Sequence, residues 1–262
     1  MNERFDIPYS ADHGDRRRCD LFVPAGVGSG AAVLLIHGGG FAGGDKAQWH
    51  GVARRLCRGG YACASIEYRL APRWKFPAWV EDCRAGMAWF RRQAGEIGFE
   101  AARVAAVGSS AGAYLALMLA TIGPDDDLGA TAETAGADTR PAAVVAYCPA
   151  YSMHEERRWP SRTAYPGLMP APEADDPDLY RRASVEDRIA GGEPPVLILH
   201  GTADELIPID ESEQLIARLR AAGDEAELVP IEGAAHGFGY GVETGFQKTA
   251  VARAERYLKE RV

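Results

Sequence analysis

Long apolar runs, cysteine and excess positive charge are all scarce in this 262-residue sequence. The longest apolar stretches fall far short of the roughly 20 residues that span a hydrocarbon core, so no transmembrane helix is expected. The start, Met1-Asn2-Glu3-Arg4-Phe5-Asp6, lacks the basic-then-apolar order of a signal peptide, and a cytoplasmic location is expected. The five cysteines (19, 57, 63, 83 and 148) are odd in number, scattered and never spaced as metal pairs. Cys63 and Cys148 sit in apolar runs and read as small core residues, a pattern that suits a reducing compartment better than a disulfide framework. With 29 Lys and Arg against 37 Asp and Glu, the net charge of −8 argues against nucleic acid, whose phosphates require clustered cations. The short basic runs Arg16-Arg17-Arg18 and Arg157-Arg158 read as solvated surface. No zinc-spaced His/Cys/Glu cluster and no G-x-G-x-x-G loop occurs, and Asp125-Asp126-Asp127 lacks calcium-loop spacing and reads as solvated loop charge. No metal or organic cofactor is expected.

What is present suits one domain over residues 1–262, with 47% hydrophobic and 25% charged residues. Six short apolar runs read as strands: Val33–His37, Tyr61–Tyr68, Val104–Gly108, Ala142–Tyr147, Val196–His200 and Glu227–Ile231. Several are apolar throughout, as expected of parallel strands covered on both faces. Between them, helical spacing recurs over Gln48–Arg58, Ala78–Gln93, Ala111–Ile122, Asp210–Ala222 and Thr244–Glu260. Strand and helix in alternation imply an α/β fold with a mostly parallel sheet. Phe5–Tyr9 and Cys19–Val23, on either side of His13-Gly14-Asp15, predict an antiparallel edge hairpin, a reading that Pro8 weakens. Gly123–Arg140 reads as an exposed, mobile loop. Pro149–Asp187 carries Tyr151, Trp159, Tyr165 and Tyr180 among prolines and arginines just after a strand end. Two readings of it stand side by side: a lid over a ligand site, or a surface insertion with packed aromatics.

Gly108-Ser109-Ser110-Ala111-Gly112 follows a strand and opens a helix, the context that gives G-x-S-x-G its meaning. So tight a turn has no room for side chains two residues either side of the serine, hence Gly108 and Gly112. It would lift the Ser110 hydroxyl to a helix N-terminus, where the Ala111 N–H can meet a developing oxyanion. Ser109 fails the same test because Val107 and Ala111 flank it. His37-Gly38-Gly39-Gly40 also follows an apolar strand, the position of a second oxyanion donor. Gly39 and Gly40, with Ala111, are the candidate donors, Gly38 gives the loop its close approach, and His37 reads as a brace for it.

A serine hydroxyl needs a neighbouring imidazole to take its proton. Three histidines follow Ser110: His154, His200 and His236. His236 lies in a loop of small residues after the last strand and is the candidate base. His200 ends a strand and reads as support for the loop beyond it, and His154 as a surface or substrate-side residue. Asp204, just past the penultimate strand, is the candidate acid, because strand ends of a parallel sheet converge on one face. Its rivals are Glu205, expected to point away, and Asp210, which reads as a helix cap.

Together these stations resemble the α/β-hydrolase esterases, in particular the bacterial feruloyl/acetyl esterase and hormone-sensitive-lipase-like groups. The resemblance runs from about Val33 to the end, most specifically through His37-Gly38-Gly39-Gly40-Phe41, Tyr68-Arg69-Leu70-Ala71-Pro72 and Phe76-Pro77-Ala78. It implies an α/β-hydrolase fold: a mostly parallel central sheet of about eight strands, helices on both faces, and a small insertion or lid (149–187) after strand 6. It also implies that Asp82 anchors its helix by pairing with an arginine such as Arg69. Hormone-sensitive-lipase-like enzymes usually carry a longer helical cap before the glycine motif. Here the residues before His37 read as strands, and the acid is followed by Glu205-Leu206-Ile207-Pro208 instead of Pro-Leu. Both departures resemble the feruloyl/acetyl group and the prolyl-peptidase-type catalytic domains more closely.

The expected activity is hydrolysis of small acyl esters through Ser110, His236 and Asp204, on a small-molecule substrate. Two alternatives remain open: kynurenine formamidase, because a formamide carbonyl suits the same groups, and a non-catalytic hydrolase-like binding protein. Either a monomer or a homodimer is expected, a dimer edge at the last strand and helix being implied by the family alone.

Overall fold

The computed structural model describes residues 1–11, 16–26, 28–156 and 167–262. Eight strands form one sheet: β1 Asn2–Pro8, β2 Arg18–Val23, β3 Ala32–Ile36, β4 Ala62–Ile66, β5 Val104–Ser109, β6 Val144–Tyr147, β7 Val196–Gly201 and β8 Ala226–Ile231. Their order across the sheet is β1-β2-β4-β3-β5-β6-β7-β8. From β4 through β8 every pairing is parallel, while β2 runs antiparallel to both β1 and β4. The expected edge hairpin is therefore present, although its His13-Gly14-Asp15 turn lies outside the described residues. Pro8 is tolerated because β1 is the outermost strand and nothing beyond it needs its missing N–H.

Why the central strands are apolar throughout is visible in their alternation. Ala32, Leu34 and Ile36 of β3 enter one buried cluster, and Val33 and Leu35 enter the other. The same split divides Val104 and Ala106 from Ala105 and Val107 in β5, and Val196 and Ile198 from Leu197 and Leu199 in β7. Successive side chains of a strand point to opposite faces, and both faces here are covered. Burying each such leucine contributes roughly 1.5–3 kcal/mol.

The helices are α1 His50–Arg58, α2 Ala78–Arg92, α3 Ala94–Ile97, α4 Ala111–Thr121, α5 Pro177–Ala183, α6 Val185–Arg188, α7 Ile209–Ala221 and α8 Gly245–Arg261. α2, α4 and α7 pack on the first face; α1 and α8 pack on the second. α4 is buried on all sides from Ala111 to Ala120, so its sequence is apolar without a polar stripe. α8 begins at a capping box, in which Thr244 and Gln247 each accept the other's backbone N–H.

Three expectations need correction. Arg17 is buried, not solvated: its Nε donates to Asp82 at 2.8 Å, beneath the half-buried Arg16 and Arg18. Residues 123–140 are not simply an exposed loop, because Leu128, Thr134 and Thr139 are buried and Arg84 donates to the Asp126 and Leu128 carbonyls. Nor is Asp126 simply solvated, since it is half-buried and pairs with Arg188, whereas Asp125 and Asp127 stay exposed. Arg157, Arg158, Trp159 and Tyr165 lie outside the described residues. The described parts of the 149–187 insertion are packed: Tyr151 and Tyr180 are buried, and Tyr114 donates to the Ala183 carbonyl at 2.5 Å. No described helix is long and apolar enough to cross a membrane, and all five cysteines are free and buried.

Candidate active site

The end of β5 and the start of α4 meet at Ser110, which adopts φ 56° and ψ −119°. A non-glycine residue there carries strain of about 1–3 kcal/mol and persists only when its surroundings hold it. The Ser110 N–H donates to the Tyr147 carbonyl at 2.8 Å, and its own carbonyl accepts from Tyr114 at 3.0 Å to start the helix. A Cβ on Gly108 would stand 2.1 Å from the Gly112 carbonyl oxygen, and one on Gly112 would stand 2.1 Å from that of Ile36. Both glycines are thus steric necessities, the second because the turn presses on β3 as well as on itself. Ser109 is fully buried.

His236 Nε2 lies 2.9 Å from Ser110 Oγ, and its Nδ1 lies 2.7 Å from Asp204 Oδ2. Three side chains from the ends of β5, β7 and β8 are thereby joined in one chain of hydrogen bonds. Asp204 is fixed from its other oxygen: Oδ1 accepts the Leu206 and Ile207 N–H groups, both at 2.9 Å. Burial alone would push its carboxyl up. Hydrogen bonds from His200 and His236 and the Ile207 N–H outweigh burial and hold it well below the usual carboxylate range. His200 is fully buried, meets Ser212 Oγ at 2.7 Å and the Ile207 carbonyl at 2.8 Å, and approaches Asp204 Oδ2 at 3.4 Å. Glu205 is exposed. Asp210 is not a cap: Pro208 holds that position and Asp210 sits inside the first turn of α7. His154 lies between Glu173 and Asp187, remote in the chain but each bonded to one of its ring nitrogens.

The glycine loop lies against the serine, since a Cβ on Gly38 would come within 3.2 Å of the Ser110 Cβ. Gly39 and Gly40 have φ of 115° and 60°, conformations that favour glycine. The Gly38 N–H donates to Tyr240 Oη at 2.6 Å. Among the described residues the N–H groups of Gly39, Gly40 and Ala111 have no partner. His37 is fully buried, stacks on Tyr68 with ring centroids 4.3 Å apart, and contacts the Gly38 carbonyl through Nδ1 at 2.7 Å. Burial lowers its imidazole to about 4, against the opposing effect of the Gly38 carbonyl, so it is neutral and donates from Nδ1. Asp82, fully buried, accepts from Arg17 Nε, Arg69 Nε and the Arg69 N–H, which ties the Tyr68–Pro72 segment to α2.

Tyr240 and Cys148 were not among the candidates from sequence. Tyr240 sits in the short turn Phe238–Tyr240 after His236, and Cys148 follows β6 at φ 40° beside Asp204. Each reaches its partner only through the closed sheet.

The BD-FAE family matches residues 19–219. The chain belongs to the BD-FAE family. It is similar to Esterase LipC of Mycobacterium tuberculosis, 30% identical over 229 residues that cover 84% of this chain and 56% of that protein. It is also similar to ethyl acetate hydrolase of Pseudomonas putida, 29% identical over 80% of this chain and 66% of that protein. The chain spans about half the length of the first of these relatives. Among solved structures, propionate-bound esterase 2 of Thermogutta terrifontis superposes with a TM-score of 0.79 at 25% identity, covering 97% of this chain and 93% of that one. A truncated carbohydrate esterase from gut microbiota superposes at 0.84 with 18% identity, over 100% and 96% of the two chains. The fold is that of the α/β-hydrolases.

Proposed function

We propose that this chain is a serine esterase acting on carboxylic esters with small acyl groups. The observation that carries this reading is the hydrogen-bonded series Ser110, His236 and Asp204, with separations of 2.9 and 2.7 Å. Family membership and the esterase names of its relatives support it, as does a propionate-bound relative for the size of the acyl group.

The reaction follows from the roles. His236 Nε2 accepts the Ser110 proton while Oγ attacks the ester carbonyl. Negative charge gathers on the carbonyl oxygen, where the N–H groups of Gly39, Gly40 and Ala111 receive it; each such donor is worth about 3 kcal/mol. Asp204 keeps the Nδ1 proton in position and stabilises the imidazolium. The imidazolium then gives its Nε2 proton to the departing alcohol, leaving an acyl group on Oγ. Water, deprotonated by the same nitrogen, attacks that acyl group and releases the acid.

The test is turnover of p-nitrophenyl esters from acetate to laurate, alongside N-formylkynurenine, by wild type and Ser110→Ala. Turnover highest for the short acyl chains and reduced by about 10⁴-fold or more in Ser110→Ala is expected. Equal rates in the two proteins would sink the reading, and preference for N-formylkynurenine would transfer the same groups to formamide hydrolysis.

A further inference from the structure

Cys148 is the first residue after β6, and its φ of 40° turns the chain sharply at the strand end. Its sulfur, a carboxylate oxygen of Asp204 and a ring nitrogen of His236 all lie within 4.8 Å of one another. Nδ1 is the nitrogen on that side, since it already meets Asp204 Oδ2 at 2.7 Å. The Gly237 N–H and the Asp204 carboxylate both act on the thiol electrostatically. Thiol, carboxylate and imidazole are three donor types that together hold zinc-like ions.

We propose that Cys148, Asp204 and His236 form an inhibitory site for a thiophilic divalent cation such as Zn²⁺ or Cd²⁺. Around a tetrahedral ion of zinc's size these donors would stand about 3.3–3.6 Å apart, so an edge at the 4.8 Å limit closes by about an ångström while the 2.7 Å Nδ1–Oδ2 edge opens by about half of one. A thiolate and a carboxylate cancel the ion's two charges, which suits a buried setting. Burial pushes the Cys148 thiol up to about 12, with the Asp204 charge adding to it, so the thiol is a poor nucleophile until a cation displaces its proton. Entry is past the imidazole, whose side chain is 19% exposed.

The balance is simple. The ion takes the sulfur lone pair as the thiol proton leaves for solvent, and it takes the Nδ1 lone pair as the proton there passes through solvent to Nε2. No electron changes hands, and one proton is released per ion bound. A neutral imidazole protonated at Nε2 cannot accept a proton from Ser110. The loss of activity thus rests on the proposed function, while the binding does not.

The experiment therefore has two arms. In the first, Ser110→Ala protein is titrated with Cd²⁺ and thiolate-to-cadmium absorbance is followed in the ultraviolet. One reversible, EDTA-sensitive equivalent per chain is expected, and none when Cys148→Ser or Cys148→Ala is added. The other four cysteines remain in those variants, so a signal that persists in both overturns the site, as does no signal at all. In the second arm, Cd²⁺ inhibition of ester turnover is compared in wild type and Cys148→Ser, each relative to its own metal-free rate. Removing a direct ligand should cost at least what removing an outer-shell partner does, so the half-inhibitory concentration rises about tenfold or more. Equal inhibition would also overturn the site. Cysteine-dependent binding in a protein whose metal-free turnover does not need Ser110 would instead leave the site standing and refute the esterase reading.

Discussion

Tyr240 Oη accepts the Gly38 N–H at 2.6 Å, across 202 residues of sequence. This bond takes the first amide of the glycine loop out of reach of a substrate and leaves the next two, at Gly39 and Gly40, unpartnered. It also fixes where those two point.

Tyr240→Phe should therefore lower kcat with little change in KM, because the loop proposed to receive transition-state charge would lose its tether. A fall of about tenfold is expected, with a stability loss of about 1 kcal/mol. Steady-state kinetics and a denaturant midpoint check both. A raised KM at unchanged kcat would assign Tyr240 to ground-state binding.

Asp204→Asn should cost about 10³–10⁴-fold in kcat while the protein stays folded. An amide presents a donor or an acceptor where the carboxylate offers only acceptors, so the tautomer of His236 is no longer imposed. The Leu206 and Ile207 N–H groups can still find the amide oxygen, which preserves the loop. A far-ultraviolet spectrum and a pre-steady-state burst distinguish lost chemistry from lost fold.

Much of this site was legible in the sequence for steric reasons. Gly108 and Gly112 announce a turn that excludes side chains; chain order narrows the base to His154, His200 and His236, and position just past strand ends favours His236 and Asp204. The edge hairpin was readable because its two strands are adjacent in sequence. Arg17 and Tyr240 were not readable, because their meaning lies in contacts made 65 and 202 residues away. A run of three arginines looks solvated until Asp82 is known to sit fully buried beneath the middle one. Cys148 looked like a small core residue because its neighbours are apolar, and only the sheet brings Asp204 to it.

Asp82→Asn should destabilise the protein by about 3 kcal/mol, since two guanidinium groups lose the charge that compensates them. For a chain of this size that corresponds to a fall in Tm of about 10 °C. Calorimetry checks it. A shift of less than a degree would mean that Ser10, Glu81 and Glu133, which also meet these arginines, suffice.

The pH dependence of stability should carry a contribution from Glu67. Burial raises its carboxyl to about 7, as does a hydrogen bond shared with Asp45, while Lys46 and Arg16 pull the other way. Between its ordinary value of 4.5 and about 7 the native protein holds more protons than the unfolded chain. Stability is therefore lost as pH rises through that window. His37, lowered by burial to about 4, works in the opposite sense, so stability from it is lost on acidification below 6.5. Glu67→Gln isolates the first effect: its urea midpoint should gain on wild type between about pH 5 and about pH 8. A constant difference across that range would refute the assignment.

The stretch from Gly38 to Tyr240 covers most of the molecule, and the groups at its two ends touch. On the proposed function, a ribosome that has made the glycine loop, the serine turn and even the aspartate has still not brought together the groups that would hydrolyse an ester. The imidazole and the tyrosine come last, and they reach the others only after β8 has joined the edge of the sheet. If these groups are the catalytic ones, turnover would require β8 in place and would report a completed sheet.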